Sequence, residues 1–227
     1  MSPLTIPEKL STGNAAFDRF LGGGLEPQII TQFVGEGGSG KSTLCLCAAV
    51  AALSKGKGVI YIDTEGFSAD RFTQIAGEKA AEYAASLYIS EPSSFEEQGT
   101  MIAESEQFLK SGAAGLIIVD SATALYRTQA NDKDALSQLS RQMMTLLGMA
   151  KRYNVPAVIT NQVFMDIDHQ KLCGLGGTSL MHISKAIVSV EKHIGYRKAV
   201  MVKHRSIREG TSWSFVLTNS GIEEKAI

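Results

Sequence analysis

The sequence predicts an α/β fold: a mostly parallel central sheet flanked by helices, with antiparallel strands toward the C-terminus. Three observations predict it. Short, almost wholly apolar runs at residues 29–34, 59–63, 116–119 and 157–160 alternate with segments of helical periodicity. Strands buried on both faces need such runs. Polar residues or glycine follow each run, and in an open parallel sheet the ligand binds beyond those carboxyl ends. From Ile183 the pattern changes to β-type alternation at 183–190, 199–203 and 213–217, an antiparallel section continuing the same sheet.

The elements follow in order. Ser11, Thr12 and Asn14 offer helix-capping side chains, and Ala16, Phe17, Phe20 and Leu21 follow at helical spacing. Gly22, Gly23 and Gly24 end that helix and turn the chain into the strand at 29–34. A glycine-rich loop comes next, then a helix from Thr43, a turn at 55–58 and the strand at 59–63. Ser68 is a candidate N-cap for a helix carrying Arg71, Phe72 and Ile75. After a strand at 87–89, Ser94 with Glu97 has capping-box spacing, and Met101, Ile102 and Leu109 lie on one side of the helix it starts. The strand at 116–119 delivers Asp120 at its carboxyl end; a polar loop at 126–134 leads into a long helix reaching about Arg152. The strand at 157–160 ends at Asn161 and Gln162, and residues 166–178 read as a flexible loop.

All 227 residues fit one domain, with residues 1–8 a short lead-in. The longest apolar run is too short to span a bilayer, and the N-terminus lacks signal-peptide features, so a soluble cytoplasmic protein without membrane association is expected. Three cysteines make neither a disulfide framework nor a zinc site; Cys45 and Cys47 read as small core residues. Net charge is −1, which excludes a general attraction to nucleic acid. The distribution is uneven, however: residues 63–106 hold ten acids and two bases, whereas residues 185–208 hold seven Lys/Arg and one acid.

The loop Gly35, Glu36, Gly37, Gly38, Ser39, Gly40, Lys41, Ser42 fits G-x-x-x-x-G-K-[ST] at every fixed position, between a strand and a helix. Its glycines let backbone N–H groups wrap a phosphate. Lys41 would reach the β/γ-phosphates of ATP and Ser42 would hold Mg²⁺, with Thr43 continuing the cradle. Asp120 fits a second Mg²⁺-shell role, or a helix cap. Glu65 is placed to activate an attacking water, or to make a structural hydrogen bond. Gln162 is placed to sense the γ-phosphate. Lys41, Glu65 and Gln162 therefore form the candidate catalytic set. Arg71 could stack on adenine or be a solvated helix arginine. Lys203, His204, Arg205 and Arg208 could meet DNA phosphates, reach a neighbouring subunit's nucleotide, or simply solvate an edge strand.

With these residues in hand, the chain resembles the ATPase core of RecA/RadA-type recombinases, and most closely the archaeal paralogues of RadA. The resemblance runs from about Leu10 to Ile222. It includes Ser11-Thr12-Gly13, Leu21-Gly22-Gly23-Gly24, the loop at 35–42, Tyr61-Ile62-Asp63-Thr64-Glu65-Gly66, Val119-Asp120-Ser121 and Ile159-Thr160-Asn161-Gln162. It implies a RecA-like P-loop fold, the roles given above for Lys41, Ser42, Glu65, Asp120 and Gln162, adenine stacking by Arg71, and two DNA-facing loops at 126–134 and 163–177. For the archaeal paralogues it further implies binding of ATP and of single- or double-stranded DNA, very weak DNA-independent hydrolysis, and assistance to a RadA-type recombinase. A Holliday-junction-processing nuclease and a homo-dimer are also implied as partners.

Two departures point away from strand exchange. The residues before Lys9 are too few for the DNA-binding domain and filament-linking segment of full recombinases. Asp166 and Asp168 put negative charge in the second loop, where DNA favours the opposite sign. Three alternatives stay open: an active strand-exchange ATPase; a KaiC-like regulatory ATPase, which would form rings; and a small-molecule kinase, which would need an arginine-bearing lid that is not evident.

Overall fold

The computed structural model describes residues 8–129, 134–166 and 171–226. The lead-in at 1–7, residues 130–133 of the first loop and Asp168 of the second lie outside them.

A continuous sheet runs in the order β10-β9-β8-β7-β1-β5-β4-β2-β3. Its parallel part comprises β1 (Ile30–Gly35), β2 (Gly58–Asp63), β3 (Leu87–Ser90), β4 (Ala114–Asp120), β5 (Ala157–Asp166) and β7 (Ala186–His193). Strands β8 (Tyr196–Lys203), β9 (Ser212–Thr218) and β10 (Gly221–Glu224) extend it antiparallel from β7. Central strands read as unbroken apolar runs because both faces are covered. In β2, Val59 and Tyr61 join one core cluster, while Ile60 and Ile62 join the other. The first cluster packs under α1 (Ala15–Phe20) and α2 (Lys41–Ser54). The second lies under α5 (Phe95–Glu104), α6 (Glu106–Lys110) and α7 (Ala135–Tyr153).

Local chemistry sets the helix ends. The Asn14 side chain accepts the N–H groups of Ala16 and Phe17 at 3.0 Å, capping α1. Ser11 and Thr12 have a different task, donating to the Asp18 carboxylate at 2.6 and 2.7 Å. Gly24 has φ +117°, and a Cβ there would lie 2.5 Å from the Leu10 carbonyl oxygen. Ser68 caps α3 (Ala69–Ala76), and Ser94 caps α5. The single helix expected from Ser94 through Leu109 is instead two, separated at Ser105. The buried Ser105 hydroxyl donates to the Ile102 carbonyl at 2.7 Å, a local bond that competes with the helical ladder. A short helix α4 (Ala80–Ala84) precedes β3.

The segment read as a flexible loop at 166–178 differs most. Strand β5 continues to Asp166 and pairs antiparallel with β6 (Lys171–Gly174), and α8 (Gly177–Ile183) follows. Polar composition does not exclude a strand, because the pairing is made by backbone groups that every residue but proline carries. The alternation expected from Ile183 begins as strand only at Ala186, because α8 extends to Ile183.

Candidate nucleotide site

Strand β1 delivers Gly35 to the carboxyl edge, the loop 36–40 turns, and α2 leaves with Lys41, Ser42 and Thr43 in its first turn. Gly40, at the N-cap, is left-handed (φ 105°) and supplies no capping side chain, so the first-turn N–H groups are left to an anion. Gly38 is also left-handed (φ 71°), and a Cβ on Gly37 or Gly38 would meet nothing within 4 Å. The concave side of the loop is therefore open. The Ser39 hydroxyl is buried without a partner, and Glu36 is exposed. The Lys41 ammonium donates to the Gly35 and Glu36 carbonyls, both at 2.9 Å, which leaves one of its three donors. Burial lowers its pKa, partly offset by Glu65 and Asp120. Orphaned donors, an open cradle and a buried cation fit a polyphosphate.

Asp120 is the last residue of β4 and only 2% exposed. Its two oxygens accept hydroxyls from Thr160 at 2.6 Å and Tyr61 at 2.7 Å. These bonds hold the carboxylate and leave a lone pair on each oxygen for the waters of a metal shell. Burial is the first cause, and Asp120 the second, of a Tyr61 phenol pushed well above its usual range. Among the described residues no group of three or more His, Cys, Asp or Glu could hold a metal by itself. The donors therefore suit Mg²⁺, which keeps its waters and is shared with substrate phosphates. When bound, it would neutralise phosphate charge, with Ser42 and Asp120 holding its shell.

Glu65 lies two residues past β2 and is exposed; Gln162, in β5, is half-buried. The Gln162 amide nitrogen donates to Glu65 Oε1, so the fold brings these two together across 97 residues. The Asp120–Ser121 peptide is cis. The Thr64 hydroxyl both donates to the Ser121 carbonyl and accepts the Ser121 N–H, each at 2.9 Å. Asn161 donates to the Leu175 carbonyl at 2.9 Å and accepts from Thr123 at 2.8 Å. The middle of β5 is thus tied both to the segment after β4 and to the segment after β6.

Arg71 sits on α3 beside the β9–β10 turn, donating to the Asn219 carbonyl at 3.2 Å and the Gly221 carbonyl at 3.0 Å. That turn adjoins the loop, since Leu217 lies 3.3 Å from where a Gly40 Cβ would stand. In-plane hydrogen bonds leave the guanidinium faces, the surfaces that stack on a base.

Lys203, His204, Arg205 and Arg208 do not join this site. Strand β8 runs antiparallel to β7, so its C-terminal end lies at the opposite edge of the sheet from Gly35. Lys203 donates to the Met181 carbonyl at 2.6 Å and the Ser184 carbonyl at 2.9 Å, satisfying the end of α8. Two of the three ammonium donors of Lys203 are thus spent within the fold. Arg205 pairs with Glu26 at 3.2 Å. His204 accepts the Ser206 N–H at 3.1 Å, and Arg208 is exposed. The same geometry takes all four away from any nucleotide at the loop.

Sequence reading gave no site role to Tyr61, Thr160, Thr64 or Asp63. A signal existed for two: Tyr61 and Thr160 are polar-bearing residues inside apolar runs. Asp63, 5% exposed, accepts the Gly66 N–H at 2.6 Å, and burial pushes its carboxyl up to about 6. Burial also pushes the Cys45 thiol well up and the Cys47 thiol to about 12, making both inert core residues.

A P-loop between strand and helix, an acid at the end of β4 with one strand between it and β1, and a parallel sheet with antiparallel C-terminal strands define a RecA-like P-loop nucleotide-binding core. The Rad51 family model matches residues 7–225. "DNA repair and recombination protein RadB" of Methanoculleus marisnigri is 55% identical over 218 residues, covering 95% of this chain and 97% of its own. The protein of the same name from Archaeoglobus fulgidus is 41% identical, covering 98% and 100%. A solved structure titled "Crystal structure of the RadB recombinase" superposes with TM-score 0.84 at 36% identity, covering 96% of this chain and all of that one. The chain belongs to the Rad51 family, in its archaeal RadB branch. No helix among the described residues is long and apolar enough to cross a membrane.

Proposed function

We propose that this chain is an ATP- and Mg²⁺-binding accessory protein of homologous recombination and DNA repair. On this reading it hydrolyses ATP slowly and assists a RadA-type recombinase on DNA. One observation carries the nucleotide half: the uncapped α2 N-terminus with the unpartnered Ser39 hydroxyl and buried Lys41, facing Asp120, Glu65 and Gln162. Relatives named for DNA repair and recombination support the biological half.

Slow turnover has a physical basis. Glu65 is exposed, and water around a base weakens the electrostatic preorganisation that hydrolysis requires. A covering partner would exclude that water, so ATP acts here mainly as a switch between binding states. DNA contact falls to the exposed basic turn holding Arg205 and Arg208.

Steady-state hydrolysis with and without single-stranded DNA tests this reading. The expected result is slow turnover that DNA does not change. Robust DNA-stimulated turnover would instead favour an active strand-exchange ATPase. DNA and RadA binding assayed with ATP, with ADP and without nucleotide should show dependence on the nucleotide, and equal affinity in all three states would overturn the switch.

A further inference from the structure

Arg127 lies in the turn after β4, in the stretch that the resemblance makes DNA-facing, and carries no role in the nucleotide site described above. Its Nη1 donates to Gln162 Oε1 at 3.0 Å, while the amide nitrogen of the same Gln162 donates to Glu65 Oε1. We propose that Arg127 is a positioning residue for ATP hydrolysis, holding the Gln162 carboxamide in the one orientation that serves Glu65 and the terminal phosphate together. The inference rests on the proposed ATPase reading.

A carboxamide has an accepting and a donating end. A guanidinium can only donate, so Arg127 takes the oxygen and turns the NH₂ group toward the site. One N–H then meets Glu65, and the other is left for a phosphoryl oxygen. Without Arg127, Gln162 and exposed Glu65 would be two flexible side chains tied only to each other, and the water-activating geometry would be populated for less of the time.

The backbone on either side is built to hold this relay. The Arg127 N–H donates to the Thr123 carbonyl at 3.1 Å, which fixes the turn that carries its side chain. Thr123 in turn donates its hydroxyl to Asn161 at 2.8 Å, and its Oγ1 accepts the Gln162 N–H at 3.4 Å. The turn therefore grips β5 at Asn161 and Gln162 through backbone and side chains. Arg127 is exposed, so its removal leaves no buried gap.

The test compares the parent protein with Arg127→Ala, Arg127→Lys, Gln162→Ala and the Arg127→Ala/Gln162→Ala double variant. Readouts are kcat and KM for Mg·ATP, affinity for a fluorescent ATP analogue, and thermal unfolding as a control of the fold. Arg127→Ala should lower kcat about 5- to 20-fold, with KM and analogue affinity within about twofold of the parent. Arg127→Lys should recover part of that loss, since one ammonium donor can still reach Oε1. The double variant should be no slower than Gln162→Ala alone, because Arg127 acts through Gln162. Parent-like kcat in Arg127→Ala, or a loss that adds in full to that of Gln162→Ala, overturns the relay. A parent that binds the analogue without hydrolysing ATP overturns the ATPase reading, and the relay with it. A relay failure alone would leave parent hydrolysis and its loss in Gln162→Ala intact.

Discussion

Replacing Gly35 with alanine separates two reasons for a glycine in a phosphate loop. A Cβ on Gly35 would stand 2.2 Å from the Val190 carbonyl oxygen, 3.2 Å from its carbon and 3.0 Å from Ser39 Oγ. A carbon–oxygen contact ordinarily sits at about 3.3–3.6 Å, so roughly 1 Å must be found. The closest contact is backbone against backbone: β1 and β7 are neighbouring central strands, paired in register at Phe33–Val188 and Val34–Ser189. Neither can yield without opening the ladder, and overpacking of this kind costs roughly 2–4 kcal/mol. For a domain of this size that is a fall in Tm of roughly 5–15 °C. Gly37 is the control, with open space around it and no left-handed φ. Gly37→Ala should leave stability unchanged or raise it by about 0.5 kcal/mol through the unfolded chain. Urea and thermal unfolding without nucleotide measure both. If Gly35→Ala stays within about 0.5 kcal/mol of the parent, or Gly37→Ala is equally damaging, the packing argument fails.

Other predictions concern charge. The folded-state carboxyl of Asp63, at about 6, lies above the unfolded value of about 3.9, so the folded state binds its proton more tightly. Stability from this group is complete below about pH 4 and is lost as pH rises through 6. Asp63→Asn should therefore match the parent near pH 4 and exceed it above pH 6 by on the order of 1–3 kcal/mol; a pH-independent difference in urea unfolding would contradict the assignment. Lys203→Met should cost about 1–2 kcal/mol, because the Ser184 and Met181 carbonyls lose their donor. Its DNA affinity should stay parent-like, whereas a loss of affinity with unchanged Tm would return Lys203 to the DNA surface. Arg205→Ala with Arg208→Ala should weaken DNA binding and flatten its dependence on salt in a titration from low to moderate ionic strength. An unchanged slope would leave this turn a solvated edge.

What the sequence alone determined is local or periodic. Apolar runs that bury both faces of a strand, polar residues at their ends and the glycine loop before α2 were all legible, because each is written in adjacent residues. The pairing of Glu65 with Gln162 was legible only as shared placement at the sheet edge. What tertiary structure decided is everything that depends on which distant residues meet. Tyr61 reaches Asp120 across 59 residues, and Arg127 reaches Gln162 across 35. Strand direction in β8 sends Lys203 to the edge away from the loop, and a basic cluster in the chain does not reveal that direction. Gly35 shows the division within one residue: its place in the motif is read from neighbours six and seven positions away, while the contact that forbids a side chain comes from Val190 on β7. Periodicity reports the environment that a side chain needs, and only folding supplies the partner.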